Sequence, residues 1–374
     1  MLKKYVLIVL FILLSNFVYA LTGDFNNNCE VDLDDFFLFA EHYNESVNYT
    51  NLQFDLDDNS KIDVEDFFIF ADGYYNLRCK DKSGESVAII ESQLSIYSDS
   101  EIIEQFYEEY GDDYDFLVIY TDFDRKLLSI GAIGTGFGKI IGIRQPNYFG
   151  KLGSNGKLKQ VATLGDARRL FSGPLEEIYP TTAAALLHEI GHYWCCYVHF
   201  REEDGNESDK LLQGSIHWHD ELLDVGTNDP MGGRTEWTII NKGVYRGIQR
   251  DYIGKQQYYS NFSLYLMGFL PKQNVNPVKL IVPGDDVVYE DNGELTVVGN
   301  LYFINITDII HIEGERIPPY NESQKNFRIG FILWTRDKSK VSDKTIERID
   351  RMRNLFEEQW RVATRNLSSV YTSL

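Results

Sequence analysis

Residues Pro180 to Phe200 read PTTAAALLHEIGHYWCCYVHF. Thr181 or Thr182 suits the first position of a helix, where a hydroxyl accepts a free backbone N–H, and helix-tolerant apolar residues follow. Within that run stand His188, Glu189 and His192. Positions four apart lie on one helix face, one turn above each other, so two imidazoles there converge on one point, where they can hold a metal ion. Glu189, beside the first histidine, is placed to take a proton from a water activated at that point. No other charged residue occurs from Ala183 to Val198, so the predicted helix is buried. Burying two histidines and a carboxylate is costly unless they are paired, which favours a metal over an ordinary core.

A third ligand is needed. His199 lies seven residues past His192; on a continuous helix that is roughly 10 Å along the axis, too far to share an ion. It is expected instead at the helix end, against the terminal carbonyls. Downstream, Gly214 to Glu221 reads GSIHWHDE. His217 and His219 fall on the same side of an extended chain. His217 is the expected third ligand, with His219 or a carboxylate (Asp220, Glu221 or Glu236) as alternatives. The imidazole left over would bond a ligand or face the substrate oxyanion, a role open also to Tyr265. Asn228 to Arg234, NDPMGGR, reads as a methionine-containing turn that forms a floor beneath the metal.

The N-terminal part is of another kind. From Asp24 to Asp66 there are thirteen acids and one lysine. Two stretches repeat with a 31-residue offset: Asp24, Asn26, Asn28, Glu30, Asp32 and Asp35, then Asp55, Asp57, Asn59, Lys61, Asp63 and Asp66. Oxygen-bearing side chains recur at loop positions 1, 3, 5, 9 and 12, with a backbone carbonyl at position 7 (Glu30, Lys61). That spacing wraps a calcium ion, so two Ca2+ are expected. Each loop leads into an apolar helix. Position 6 is Cys29 in one copy and Ser60 in the other, where glycine would ease the bend. Cys29 is expected to bridge to Cys79, just past the second helix. Cys195 and Cys196 are expected as buried free thiols, because a bond between neighbours does not fit a regular helix.

The first twenty residues carry Lys3 and Lys4, a short apolar run and the small-residue ending Val18-Tyr19-Ala20. This reads as a secretory signal cut after Ala20, giving a secreted or cell-surface protein, an uncleaved anchor being the alternative. No second apolar stretch approaches the length of a membrane span. A formal charge of −21 argues against nucleic-acid binding. The polar stretch 81–86 reads as a linker, so the expected organisation is a signal at 1–20, a calcium module at 22–80 and a large domain at 87–374.

In the large domain, strands are predicted at Val87–Glu91, Asp115–Thr121 and Phe327–Trp334, and helices at Ser100–Tyr110 and Lys344–Thr364. Further strands are predicted at Val278–Val282, Val287–Tyr289, Leu295–Val298 and Leu301–Ile306, with a hairpin turn at Asn292-Gly293. The glycine-rich stretch Gly131–Gly142 lacks the Lys-Ser/Thr ending of a phosphate-binding loop. It reads as turns between strands, one of them at Ile140–Ile143.

Two resemblances follow. Residues 22–80 resemble a dockerin-like duplicated calcium module, a type that docks to a cohesin-like partner or serves as a calcium-stiffened spacer. His188-Glu189-x-x-His192-x-Trp194, His217-Trp218, Met231-x-Gly233 and Tyr259-Ser260 through Tyr265-Leu-Met-Gly268 resemble secreted zincin-type metallopeptidases over about residues 90–370. The family implies one catalytic Zn2+, a Glu189-activated water and hydrolysis of peptide bonds in a protein or peptide substrate. In that family the segment carries an acid at the position of Ser263. That departure supports an alternative, a non-catalytic extracellular binding or adhesion protein with a degenerate zincin domain. The expected fold is thus α+β: a small all-α module, then a zincin-like mixed α/β domain with a strand-rich C-terminal part and a terminal helix.

Overall fold

A computed structural model describes residues 25, 33–46, 51, 54–56, 59–73, 86–93, 99–124, 131–135, 138–146, 152–170, 175–214, 217–219, 221–250, 256–289 and 294–374. The signal segment, Asp24, Asn26, Asn28, Glu30, Asp32, Asp57, the Cys29–Cys79 pair, Asp220 and the Asn292-Gly293 turn lie outside the described residues. The chain divides into two compact units, Met1–Gly84 and Glu85–Leu374.

In the first unit, α1 (Leu33–His42) and α2 (Val64–Gly73) each follow one of the acidic stretches. Phe39, Phe54, Ile62, Phe67 and Phe70 form its buried core, with Phe39 and Phe70 stacked at 5.8 Å between ring centres. Asp55 and Asp66, at positions 1 and 12 of the second stretch, are buried and turned inward. Asp55 accepts the backbone N–H groups of Asn59 (3.1 Å) and Ser60 (2.9 Å). Asp66 accepts those of Leu56 (2.5 Å) and Asp63 (2.7 Å). Ser60 has φ +69°, the left-handed region that favours glycine, at the position where a wrapped loop bends most sharply.

The second unit begins β1 (Ala88–Glu91), α3 (Asp99–Tyr110), β2 (Phe116–Thr121), β3 (Gly131–Gly134), β4 (Gln160–Asp166) and α4 (Leu175–Gly191). Short strands follow: β5 (Phe200–Arg201), β6 (Glu207–Ser208), β7 (Leu212–Gln213), β8 (His217–Trp218) and β9 (Leu223–Asp224). Next come β10 (Thr235–Asn241), β11 (Val244–Gln249), α5 (Asn261–Met267), β12 (Val278–Tyr289) and β13 (Glu294–Ile304). The chain closes with α6 (Ile306–Glu313), β14 (Asn326–Thr335), α7 (Asp343–Ala363) and β15 (Ser369–Tyr371). This is a mixed α/β unit built on two main sheets. Among the described residues no helix is long and apolar enough to cross a membrane.

The larger sheet has the order β1-β14-β2-β4-β3, with β15 also paired to β14; all its pairings are parallel except β3 on β4. Every residue of β2 is buried, as expected for a continuous apolar run covered on both faces. Successive side chains feed opposite cores. Phe116, Val118 and Tyr120 face the core shared with α4 and α7, while Leu117 and Ile119 join Ile102, Ile103 and Phe106 of α3. The second sheet, β10-β11-β13-β12-β9, is antiparallel and closes a small core around Trp237, Tyr245, Ile281, Leu295 and Val297.

Four local expectations are corrected. The helix starts at Leu175, not at Thr181 or Thr182, and Pro180 is accommodated in its second turn. It ends at Gly191, not near Phe200, because the apolar run then folds into tight turns: Trp194 and Cys195 both donate backbone N–H to the Gly191 carbonyl at 3.0 Å. Cys195 and Cys196 therefore lie beyond regular helix, and they form a disulfide with each other rather than standing as free thiols. Ile140–Ile143 is a turn, with one isolated antiparallel bridge between Ile141 and Ile317.

Candidate metal centre

Helix α4 carries the centre and its surroundings fix where it stops. Ala183, Leu186, Leu187 and Ile190 bury one face of it in the main core. The hydroxyl of Tyr259 donates to the Leu187 carbonyl (2.7 Å), and the Gln160 side-chain amide donates to the Glu189 carbonyl. His192 is one residue past the assigned end, yet its N–H still donates to the His188 carbonyl (3.2 Å), so the one-turn spacing of the two imidazoles survives.

The rings are held by backbone carbonyls. His188 Nδ1 is 2.8 Å from the Pro230 carbonyl, and His192 Nδ1 is 3.1 Å from that of Cys195. A carbonyl can only accept, so both Nδ1 atoms carry the proton. The two Nε2 atoms then face each other at 3.1 Å. Two tetrahedral nitrogen ligands at zinc distance would stand about 3.3 Å apart.

His217, at the start of β8, completes the group. Its ring stacks on His188 (centres 5.1 Å apart, 14° between planes) and meets His192 edge-on at 4.8 Å. One nitrogen from each of the three rings lies within 4.8 Å of the others. Trp218, next in the strand, points the other way and stacks on Phe262 at 4.8 Å, which anchors the strand in the core. The expected third ligand is thus the one brought to the pair. Three imidazoles converging in a partly buried setting suit zinc.

Burial dominates the electrostatics. It pushes the Glu189 carboxyl up to about 7. Burial first, and then the charges of His188 and His217, push His192 down to about 3. Among the described residues no hydrogen-bond partner meets the Glu189 carboxylate, although it is only 7% exposed.

No family model, curated protein or solved structure matches this chain. Its chemistry is therefore read from the site itself.

Other expected site residues fall elsewhere. Glu236, on β10, is exposed and 3.7 Å from Arg250, away from the imidazoles. His219 is half-buried, with its backbone N–H on the Leu211 carbonyl, and does not join the three converging nitrogens. Tyr265 is buried on α5, where burial raises its pKa. His199 is not at a helix end: its ring lies 2.6 Å from Glu207, and its N–H donates to Glu313.

Ser263, where the resemblance implies an acid, is fully buried and donates to Asp229 Oδ2 at 2.6 Å. The carboxylate is thus present at this spot, supplied by the neighbouring turn. Sequence reading missed Asp229, and it missed the carbonyls of Pro230 and Cys195, which carry no side-chain signal at all.

Proposed function

We propose that this protein is a zinc metallopeptidase acting outside the cell. His188, His192 and His217 would hold one zinc ion, and zinc so held supplies a positive charge that acidifies water and polarises a carbonyl. Glu189 accepts the proton of the attacking water and passes it to the leaving amine, a role that suits a buried carboxyl poised near neutrality. Peptide is the favoured substrate because, among the described residues, β3 ends the larger sheet, beside the strand that packs on α4, and an extended chain can add to such an edge. The N-terminal unit is proposed as a dockerin-like module that binds two Ca2+. The zincin-like arrangement of the second unit belongs to the same proposal.

One observation carries the reading: two imidazoles fixed by carbonyls on Nδ1, their Nε2 atoms 3.1 Å apart, with a third imidazole against both. The test is Glu189→Gln. The variant is expected to keep one zinc per chain while peptide hydrolysis falls about 10²–10⁴-fold. A variant that cleaves at the parent rate removes Glu189 from the mechanism. A parent chain that takes up no zinc removes the metal reading.

A further inference from the structure

Asp229 is completely buried in the turn between β9 and β10, and three donors converge on its carboxylate. Met231 N–H reaches Oδ1 at 2.8 Å; Ser260 N–H and the Ser263 hydroxyl reach Oδ2 at 2.7 and 2.6 Å. A carboxylate accepting three such bonds fixes both segments that supply them. Each of those segments touches the HExxH helix one residue away. Pro230, next to Met231, offers the carbonyl that accepts the hydrogen bond from His188 Nδ1–H. Tyr259, next to Ser260, donates to the carbonyl of Leu187, the residue before His188. The two segments are also stitched directly, Tyr258 N–H to the Asn228 carbonyl at 3.1 Å and Thr227 Oγ1 to the Tyr258 carbonyl at 2.9 Å.

We propose that Asp229 is the positioning residue for His188: it locks the 228–231 turn so that the Pro230 carbonyl holds the proton on Nδ1 and leaves Nε2 to coordinate. The inference rests on the metal reading for its consequence, but its geometric part is independent of zinc. It also accounts for Ser263, which serves here as the hydroxyl partner of this carboxylate. Outer partners of this kind set ring orientation and typically change metal affinity 10–100-fold when lost.

The test compares Asp229→Asn and the milder Ser263→Ala with the parent full-length chain, using two readouts. In the zinc-free protein, ring ¹⁵N shifts report the tautomer of each histidine. The parent is expected to show His188 as the single Nδ1–H form. Both variants are expected to show His188 as a mixture while His192, held by Cys195, stays unchanged. Zinc affinity, measured by competition with a chromophoric chelator, is expected to fall about 10–100-fold in Asp229→Asn and less in Ser263→Ala. General loosening would move both histidines together and overturns the proposal. So does a folded Ser263→Ala or Asp229→Asn protein whose His188 tautomer and zinc affinity match the parent. If the parent itself binds no zinc, the metal reading fails, and the tautomer comparison still decides the role of Asp229.

Discussion

The sulfur of Met231 stands too close to the place that a Cβ on residue 191 would take, so the helix that bears His188 and leads into His192 ends on a glycine pressed against a methionine. The methionine turn thus touches the helix twice, through this contact and through the bond from His188 to the Pro230 carbonyl. Gly191→Ala is expected to overpack the contact and destabilise the protein by about 1–3 kcal/mol. Shortening Met231 to alanine in the same chain should return part of that loss, although Met231→Ala alone is destabilising. Thermal unfolding of the four proteins gives the coupling; purely additive effects would mean that the two residues do not press on each other.

On the proposed zinc reading, His217 is a ligand and His219 a bystander. His217→Ala removes one of three converging nitrogens and should weaken zinc binding by more than the roughly 100-fold limit usual for an outer partner. His219→Ala and His199→Ala should stay within a few-fold of the parent, because neither imidazole belongs to the group. Equal losses in His217→Ala and His219→Ala would show that the rings exchange places.

Much of this was legible because its physics is local. The all-apolar FLVIYT run of β2 had to be a strand covered on both sides, and the repeat of Ile346, Ile349, Met352 and Phe356 had to be one face of α7. The pairing of His188 with His192 follows from helix geometry alone. What stayed hidden depends on contacts distant in sequence. Nothing near Gly191 announces that Met231 will lie against it, so an uncharged run to Val198 reads as continuing helix. Once the helix stops, the objection to a Cys195–Cys196 bond lapses and the distance argument about His199 no longer applies. Asp229 looked like an ordinary turn acid because its three donors come from Met231 and from residues more than thirty positions away.

Zinc removal should be visible in stability. A ligand that binds only the folded state stabilises it by RT ln(1 + [L]/Kd), about 2.7 kcal/mol when free zinc is one hundred times Kd. For a unit of this size each kcal/mol moves the unfolding midpoint by roughly 2 °C or slightly less. Stripping zinc with a chelator should therefore lower the midpoint of the second unit by about 4–5 °C, and adding zinc back should restore it. His188→Ala should abolish the response. An identical midpoint with and without zinc would place the ion elsewhere or nowhere.

Ser60 offers a test of the first unit. Its φ of +69° costs an L-residue about 1–2 kcal/mol relative to its favoured conformations, whereas glycine adopts it freely. Glycine returns part of this through the larger entropy of its unfolded chain, about 0.5–1 kcal/mol. The net expectation for Ser60→Gly is a gain of about 0.5–1 kcal/mol in the stability of this unit. Because the bend lies inside the second loop, between its positions 1 and 9 (Asp55 and Asp63), the same change should also tighten calcium binding by that loop if it wraps an ion. Calorimetric unfolding in excess calcium and in chelator separates the effects. A gain in both conditions, larger with calcium, supports a wrapped loop; a gain identical in the two confines the residue to backbone relief and removes calcium from this loop.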